Sequence, residues 1–401
     1  MSKRLPKKVG VLVHEIFIVC CALFVVGYMM VSFLITTAQT GKDVIAPVVV
    51  RPQVTTPSLP PLQPNSFGMS MGDVLRTLPQ EELSAQLKDI KSLGFNWVRT
   101  DIDWSAVQRQ NATNYDWSAY DRVVETAHAN GLGILGVIAY APAWARLPEC
   151  VGSDKCRPAS NTAYAAFAKA VVQRYSAKGV KTWEIWNEPN IQGFWRPAPN
   201  AQIYTAMLKA AYTAIKSVDP TATVLSGGLS PAEDQPPGHI APRDFLKAMY
   251  ANGAQGSFDA FAHHPYSYPA PPNVTYSWSS WSQMASLSPS LRSIMDANGD
   301  GNKQIWITEV GSPTGGAGAT ATPANFRLNL SATHGSEDLQ SVFVEQTVAA
   351  VNSYPWAGPM FWYSYKDLGS ARGDNENFFG IIRSNGTKKP AYETFKRVLA
   401  K

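Results

Sequence analysis

Two spacings of apolar residues divide the chain. From Ile16 to Ile35 runs an uninterrupted uncharged stretch, IFIVCCALFVVGYMMVSFLI. As a helix rising ~1.5 Å per residue it would match a ~30 Å hydrocarbon core. From Ser66 the pattern changes to short apolar runs alternating with stretches of helical period. The runs are 67–71, 96–102, 134–140, 182–187, 223–227, 258–264, 304–309 and 359–365, and they are rich in Val, Ile, Trp, Phe and Tyr. Helical patterns fill the gaps at 80–93, 116–129, 161–178, 200–217, 243–251, 281–297, 337–352 and 389–400. Asp116 and Ser160 are expected N-caps, and Gly131, Gly179 and Gly253 follow helix ends. Such strand–helix units predict an α/β fold, the (β/α)8 TIM barrel. A doubly wound sheet is the alternative, but no glycine-rich phosphate turn follows the first run. The periodic region exceeds the ~250 residues typical of a barrel. Its excess is expected in loops 141–160, 228–242, 265–281 and 311–336, with a flexible loop directly after the seventh strand.

Charge sets the expected topology. The net charge is +5, and Lys3, Arg4, Lys7 and Lys8 all precede the apolar stretch. Elsewhere no Lys/Arg stripe appears, which excludes a nucleic-acid footprint. Positive charge before a span places the amino terminus in the cytoplasm and the remainder outside. The expected organisation is a basic terminus at 1–15, a transmembrane signal-anchor at 16–37, a proline-rich linker at 38–65 and the barrel domain at 66–401. A cleaved signal peptide is the alternative, with a small-residue site at Thr36-Thr37-Ala38. Cys150 and Cys156 bracket a short polar loop without a nearby His or further Cys, so a disulfide is expected in an oxidising compartment rather than a zinc site. Asp296-Ala-Asn-Gly-Asp-Gly-Asn302 begins like a calcium loop, but Ile307 stands where the bidentate Glu belongs. It is read as a polar turn, and no metal or cofactor is expected.

Chemistry in a barrel sits where strands pass into βα loops. Glu188 stands at the end of the fourth strand, directly after run 182–187, in Trp183-Glu-Ile-Trp-Asn-Glu-Pro-Asn190, and Glu309 ends the seventh in Ile305-Trp-Ile-Thr-Glu-Val-Gly311. Two carboxylates across a barrel mouth suit glycoside hydrolysis, in which one donates a proton and the other attacks or activates water. Glu184 is expected in an interior ion pair with an arginine, and His263, alternating with His264, in packing. Tyr140, Trp144, Trp195, Trp278, Trp281 and Tyr268 are candidate platforms for sugar faces.

From Phe67 to about Lys396 the chain resembles the clan A glycoside hydrolases, with details similar to family 39 and family 5-like members. Asn187-Glu188-Pro189 looks like the acid/base motif and Thr308-Glu309 like the nucleophile. The resemblance implies that Arg99 keeps the nucleophile ionised, Asn187 binds the sugar 2-hydroxyl, His264 and Tyr266 form a strand-6 pair with Tyr266 directed at the nucleophile, and Trp362 floors the subsite of the cleaved sugar. It also implies retention of configuration through a covalent intermediate. The expected function is an endo-acting glycosidase with a cell-envelope or extracellular polysaccharide as its partner. A transglycosylase using the same residues and a non-catalytic carbohydrate-binding envelope protein are the alternatives.

Overall fold

The computed structural model describes residues 66–150, 152–233 and 238–400. The expected terminus, signal-anchor and linker lie outside these residues. No helix among the described residues is long and apolar enough to cross a membrane.

Eight parallel strands form the sheet: β1 (Phe67–Ser70), β2 (Trp97–Asp103), β3 (Gly133–Ala139), β4 (Thr182–Ile185), β5 (Thr223–Leu225), β6 (Phe261–His263), β7 (Ile305–Val310) and β8 (Ala357–Trp362). Their order is β5-β4-β3-β2-β1-β8-β7-β6. Parallel bridges Leu225↔Ala260 and Leu229↔His263 join β5 to the β6 region and close the ring. The main helices are α1 (Gln80–Ser92), α2 (Ser118–Ala129), α3 (Asn161–Tyr175), α4 (Ala201–Val218), α5 (Pro242–Ala251), α6 (Leu291–Ala297), α7 (Glu337–Ser353) and α8 (Pro390–Leu399). The predicted (β/α)8 architecture is therefore observed.

Local chemistry explains the departures. The pattern at 281–297 forms two helices, Ser280–Ala285 and α6, because Pro289 removes a backbone donor and disfavours helical geometry before it. Ser290 restarts the helix through a capping box with Ser293. Ser160 caps α3 by accepting from the Ala163 N–H at 3.2 Å. Asp116 caps no helix; it accepts from the Ser118 N–H at 3.1 Å, just ahead of α2. The expected flexible loop after β7 contains a short parallel ladder between Thr320–Ala321 and His334–Gly335.

Alternation along the strands separates two interiors. Leu135, Leu225, Ala260, Ala262, Trp306 and Phe361 pack within the ring, with Trp97 against them. Three glycines make room: a Cβ on Gly68, Gly133 or Gly358 would come within 3.0 Å of Phe361, Trp97 or Trp306 respectively. The opposite strand faces join the larger core beneath the helices, where Trp362 meets Phe395 of α8 at 5.2 Å between ring centroids.

Candidate active site

The carboxyl ends of the strands surround a cavity of about 640 Å³, with Asp101, Tyr140, Asn187, Glu188, Tyr266, Glu309 and Tyr363 in its wall. Beneath it lies Arg99 of β2, fully buried. Nε donates to Glu184 Oε2 at 2.8 Å, and Nη2 donates to Glu184 Oε1 at 3.1 Å and to Asn187 Oδ1 at 2.8 Å. Nη1 donates to Ser70 Oγ at 3.2 Å and to Glu309 Oε1. All five N–H donors are thereby occupied. Glu184 forms the expected interior ion pair, and its Oε1 also accepts from the Gly228 N–H at 2.9 Å and the Thr308 hydroxyl at 3.2 Å.

Glu309 is held from two sides. Arg99 binds Oε1, and the Tyr266 hydroxyl donates to Oε2 at 2.8 Å. Burial alone pushes its carboxyl upward, but the His264 and Arg99 charges and the Tyr266 hydrogen bond outweigh burial and hold it below the usual glutamate range. Glu188 follows β4 in a left-handed backbone conformation, with φ of 47°, two residues after Trp186 with φ of 72°. Such geometry costs roughly 1–3 kcal/mol per non-glycine residue. It is held by the Glu188 N–H donating to Gly228 O at 3.0 Å and the Trp186 N–H donating to Ile138 O at 3.0 Å. Gly228 must be small: a Cβ there would lie 2.1 Å from His264 Nε2.

His264 stands behind both carboxylates, fully buried. Nδ1 bonds Glu188 Oε1 at 2.9 Å and lies 3.8 Å from Glu309 Oε2, while Nε2 meets Thr308 Oγ1 at 3.1 Å. Burial disfavours its charge, but Glu309 and the bond to Glu188 prevail and raise its pKa above the usual value. One donor atom each from Glu188, His264 and Glu309 lie within 4.8 Å of one another. A cation could fit such a set, although Arg99 already supplies positive charge to Glu309.

A family model described as cellulase (glycosyl hydrolase family 5) matches residues 56–333. The chain belongs to that family. It is also 31% identical over 109 residues to a β-xylosidase of Geobacillus stearothermophilus, a match covering 27% of this chain and only 20% of that protein. A family 39 glycoside hydrolase from the gut symbiont Bacteroides cellulosilyticus WH2 superposes with a TM-score of 0.61 at 22% identity, covering 84% of this chain and 63% of its own. A monomeric β-xylosidase from Caulobacter crescentus CB15 gives 0.62 at 18% identity, covering 86% and 69%. At those identities the structural likeness establishes the fold.

Within this glycosyl hydrolase barrel, the expected residues separate into groups. Arg99, Asn187, Glu188, His264, Tyr266 and Glu309 come together, with Arg99 and His264 beneath the cavity rather than in its wall. Tyr140 and Tyr268 line the cavity. Trp362 and Trp195 do not; both are fully buried, Trp362 against α8 and Trp195 edge-on to Trp186 at 5.4 Å. Strand alternation turns Trp362 toward the helices and leaves its neighbour Tyr363 in the cavity wall, a residue the sequence reading passed over. Trp144 is partly exposed outside the cavity wall and donates its indole N–H to Gln108 O at 2.7 Å. Trp278 is exposed and stacked on Tyr276, whereas Trp281 is buried. His263 is buried on the other face of β6, with Nε2 2.9 Å from Ser280 Oγ. Cys150 and Cys156 form the expected disulfide. The calcium-like turn directs Asp296 to Arg292 at 2.6 Å and Asp300 to Tyr250 and Lys303, both at 2.9 Å.

Three charged wall residues were also passed over: Asp101, Lys155 and Glu376. Asp101 lies two positions beyond Arg99 on β2, so alternation alone could have placed it on the same face. Lys155 and Glu376 come from loops and carry no such signal. Burial pushes Asp101 to about 7 despite Arg99 and Lys155. Burial, reinforced by Glu309 and Glu188, pushes Glu376 to about 7 as well.

Proposed function

We propose that the protein is a retaining, endo-acting glycoside hydrolase, with Glu309 as nucleophile and Glu188 as acid/base. The opposed carboxylates carry this reading. One oxygen of each lies within 4.8 Å of the other. Retaining enzymes place their carboxyl groups ~5–5.5 Å apart, whereas inverting enzymes need ~6.5–9.5 Å to admit a water. The two glutamates have different surroundings, as two roles require. Glu309 carries an arginine and a tyrosine hydroxyl that favour its anion. Glu188 has Oε1 on His264, while Oε2 makes no protein hydrogen bond among the described residues and is available to a leaving oxygen.

In the first step, Glu309 attacks the anomeric carbon while Glu188 protonates the departing glycosidic oxygen, leaving a glycosyl ester on Glu309. In the second, Glu188 takes a proton from water, the water oxygen bonds to the anomeric carbon, and Glu309 departs as carboxylate. Asn187, oriented by Arg99, can hydrogen-bond the sugar beside the reacting carbon.

A second cavity of about 380 Å³ adjoins the first, with Gly72 and Tyr363 common to both walls. This supports a substrate longer than one sugar. The apolar stretch 16–35 and the basic residues before it support an extracytoplasmic, membrane-anchored enzyme acting on a polysaccharide near the cell surface.

Incubation of full-length protein with activated aryl 2-deoxy-2-fluoro glycosides, followed by intact mass, tests the mechanism. β-Xylosides head the panel because the relatives bear that name. A covalent sugar adduct on wild type, absent from Glu309→Gln, is expected. An adduct that persists in Glu309→Gln would overturn the nucleophile assignment. Release of monomers alone from polysaccharide would overturn endo action.

A further inference from the structure

The loop between β3 and α3 carries a cation into the cavity. Lys155 Nζ lies 3.1 Å from the centre of the Tyr140 ring and 5.8 Å from that of Phe194, both cavity-wall residues. Its nearest carboxylate oxygen is Asp154 Oδ1 at 3.7 Å, and no hydrogen bond engages Nζ among the described residues. The ammonium thus rests on a cavity-wall ring beside one carboxylate, and its N–H donors carry no protein hydrogen bond among the described residues.

The backbone around this lysine is fixed at each neighbouring residue. Asp154 O accepts from the Ala141 N–H at 3.0 Å, immediately beyond β3. Lys155 O accepts from the Arg196 N–H at 3.0 Å, and Cys156 is buried and closed onto Cys150. The flexible stem is further restrained by its contact with the Tyr140 ring, a cation–π arrangement that is stronger when partly desolvated. A placed ammonium can donate to a neutral sugar hydroxyl, but its bond to a carboxylate is charge-assisted at both ends and about twice as strong.

We infer that Lys155 determines substrate specificity, and that the cavity accepts a glycan carrying a carboxylate whose oxygens bind the Lys155 ammonium. This rests on the glycoside hydrolase reading for its polymer class. Asp101 and Glu376 would oppose an anion if fully charged. With both pushed to about 7, each is partly protonated near neutral pH, which lessens that opposition.

Binding to full-length protein of oligosaccharides from polygalacturonate, alginate and hyaluronate, each paired with its carboxyl-reduced counterpart, tests this inference. Wild type is expected to bind the carboxylated member of at least one pair about 10–100-fold more tightly, the scale of one hydrogen bond to a charged group. Lys155→Met should abolish that preference and Lys155→Arg should retain it. Equal affinity or no binding across all pairs overturns the inference, as does a preference for chitosan oligosaccharides. A lysine that only offsets Asp101 gives another pattern: Lys155→Met then weakens both members equally and Asp101→Asn restores them, which also overturns it. Turnover separates the two readings. Cleavage of reduced polymers alone overturns the Lys155 role and keeps the hydrolase, whereas a carboxylate preference without cleavage of any polymer keeps Lys155 and overturns the hydrolase.

Discussion

Arg99 is bound to Glu184 through two hydrogen bonds, at 2.8 and 3.1 Å, and it is this buried pair that presents the third guanidinium nitrogen, Nη1, to Glu309. Glu184 has no access to the cavity; it positions the arginine that holds the proposed nucleophile. Removing its charge leaves Arg99 with one carboxylate where it now has two. Glu184→Gln should lower unfolding free energy by about 3–5 kcal/mol, the cost of breaking a buried ion pair. Urea unfolding of full-length protein measures it. Unchanged stability would mean that water or Asn187 compensates the arginine.

The acid limb of the kcat/KM profile should lie below the ordinary glutamate range, because the surroundings of Glu309 favour its anion. The sign follows from the depressed pKa: the carboxylate persists as pH falls and is lost only on passing through the lowered folded value. Tyr266→Phe deletes one hydrogen bond to the charged form. Its acid limb should move upward by about one pH unit, the scale of such a bond. An unmoved limb would remove Tyr266 from control of Glu309.

Glu188→Gln should lower turnover of natural glycosides by about 10²–10⁴-fold, the range for loss of a general acid. Aryl glycosides with good leaving groups need little protonation, so their first step should survive, and added azide should replace water in the second. Equal loss for good and poor leaving groups would contradict the acid role.

Tyr363 and Trp362 are adjacent yet should behave differently. Trp362→Ala empties a site beneath α8 and should cost about 3–5 kcal/mol of stability. Tyr363→Ala opens the cavity wall and should chiefly raise KM. Thermal unfolding and steady-state kinetics on both variants distinguish them. The reverse pattern would place Trp362 at the sugar.

Gly228 offers a test of packing at the site. A Cβ there would lie 2.1 Å from His264 Nε2 and 2.7 Å from Thr308 Oγ1, so Gly228→Ala must displace the groups behind Glu188. A fall in kcat of more than about tenfold is expected, since small misplacements of catalytic groups cost up to about 10². Wild-type kcat would show that His264 moves without disturbing Glu188.

Much of the barrel was legible in one dimension. Strand–helix alternation is a local consequence of which faces must be buried, so the runs ending near Glu188 and Glu309 could be read directly. The arginine expected opposite Glu184 also followed locally, because a carboxylate on an inward strand position requires a cation. The helix break at Pro289 is equally local, although the amphipathic period runs across it. Strand parity at β8 is of another kind. The resemblance assigns Trp362 to the sugar subsite, yet the choice between Trp362 and Tyr363 depends on which strand face meets α8. That contact joins distant segments, and no local pattern encodes it. The same holds for Lys155 and Glu376, brought to the cavity by loops whose course is set by a disulfide, by backbone hydrogen bonds and by packing. Local periodicity determined the elements and the residues at their ends; long-range packing alone decided which side chains face one another across the mouth, because their separation in space is unrelated to their separation along the chain.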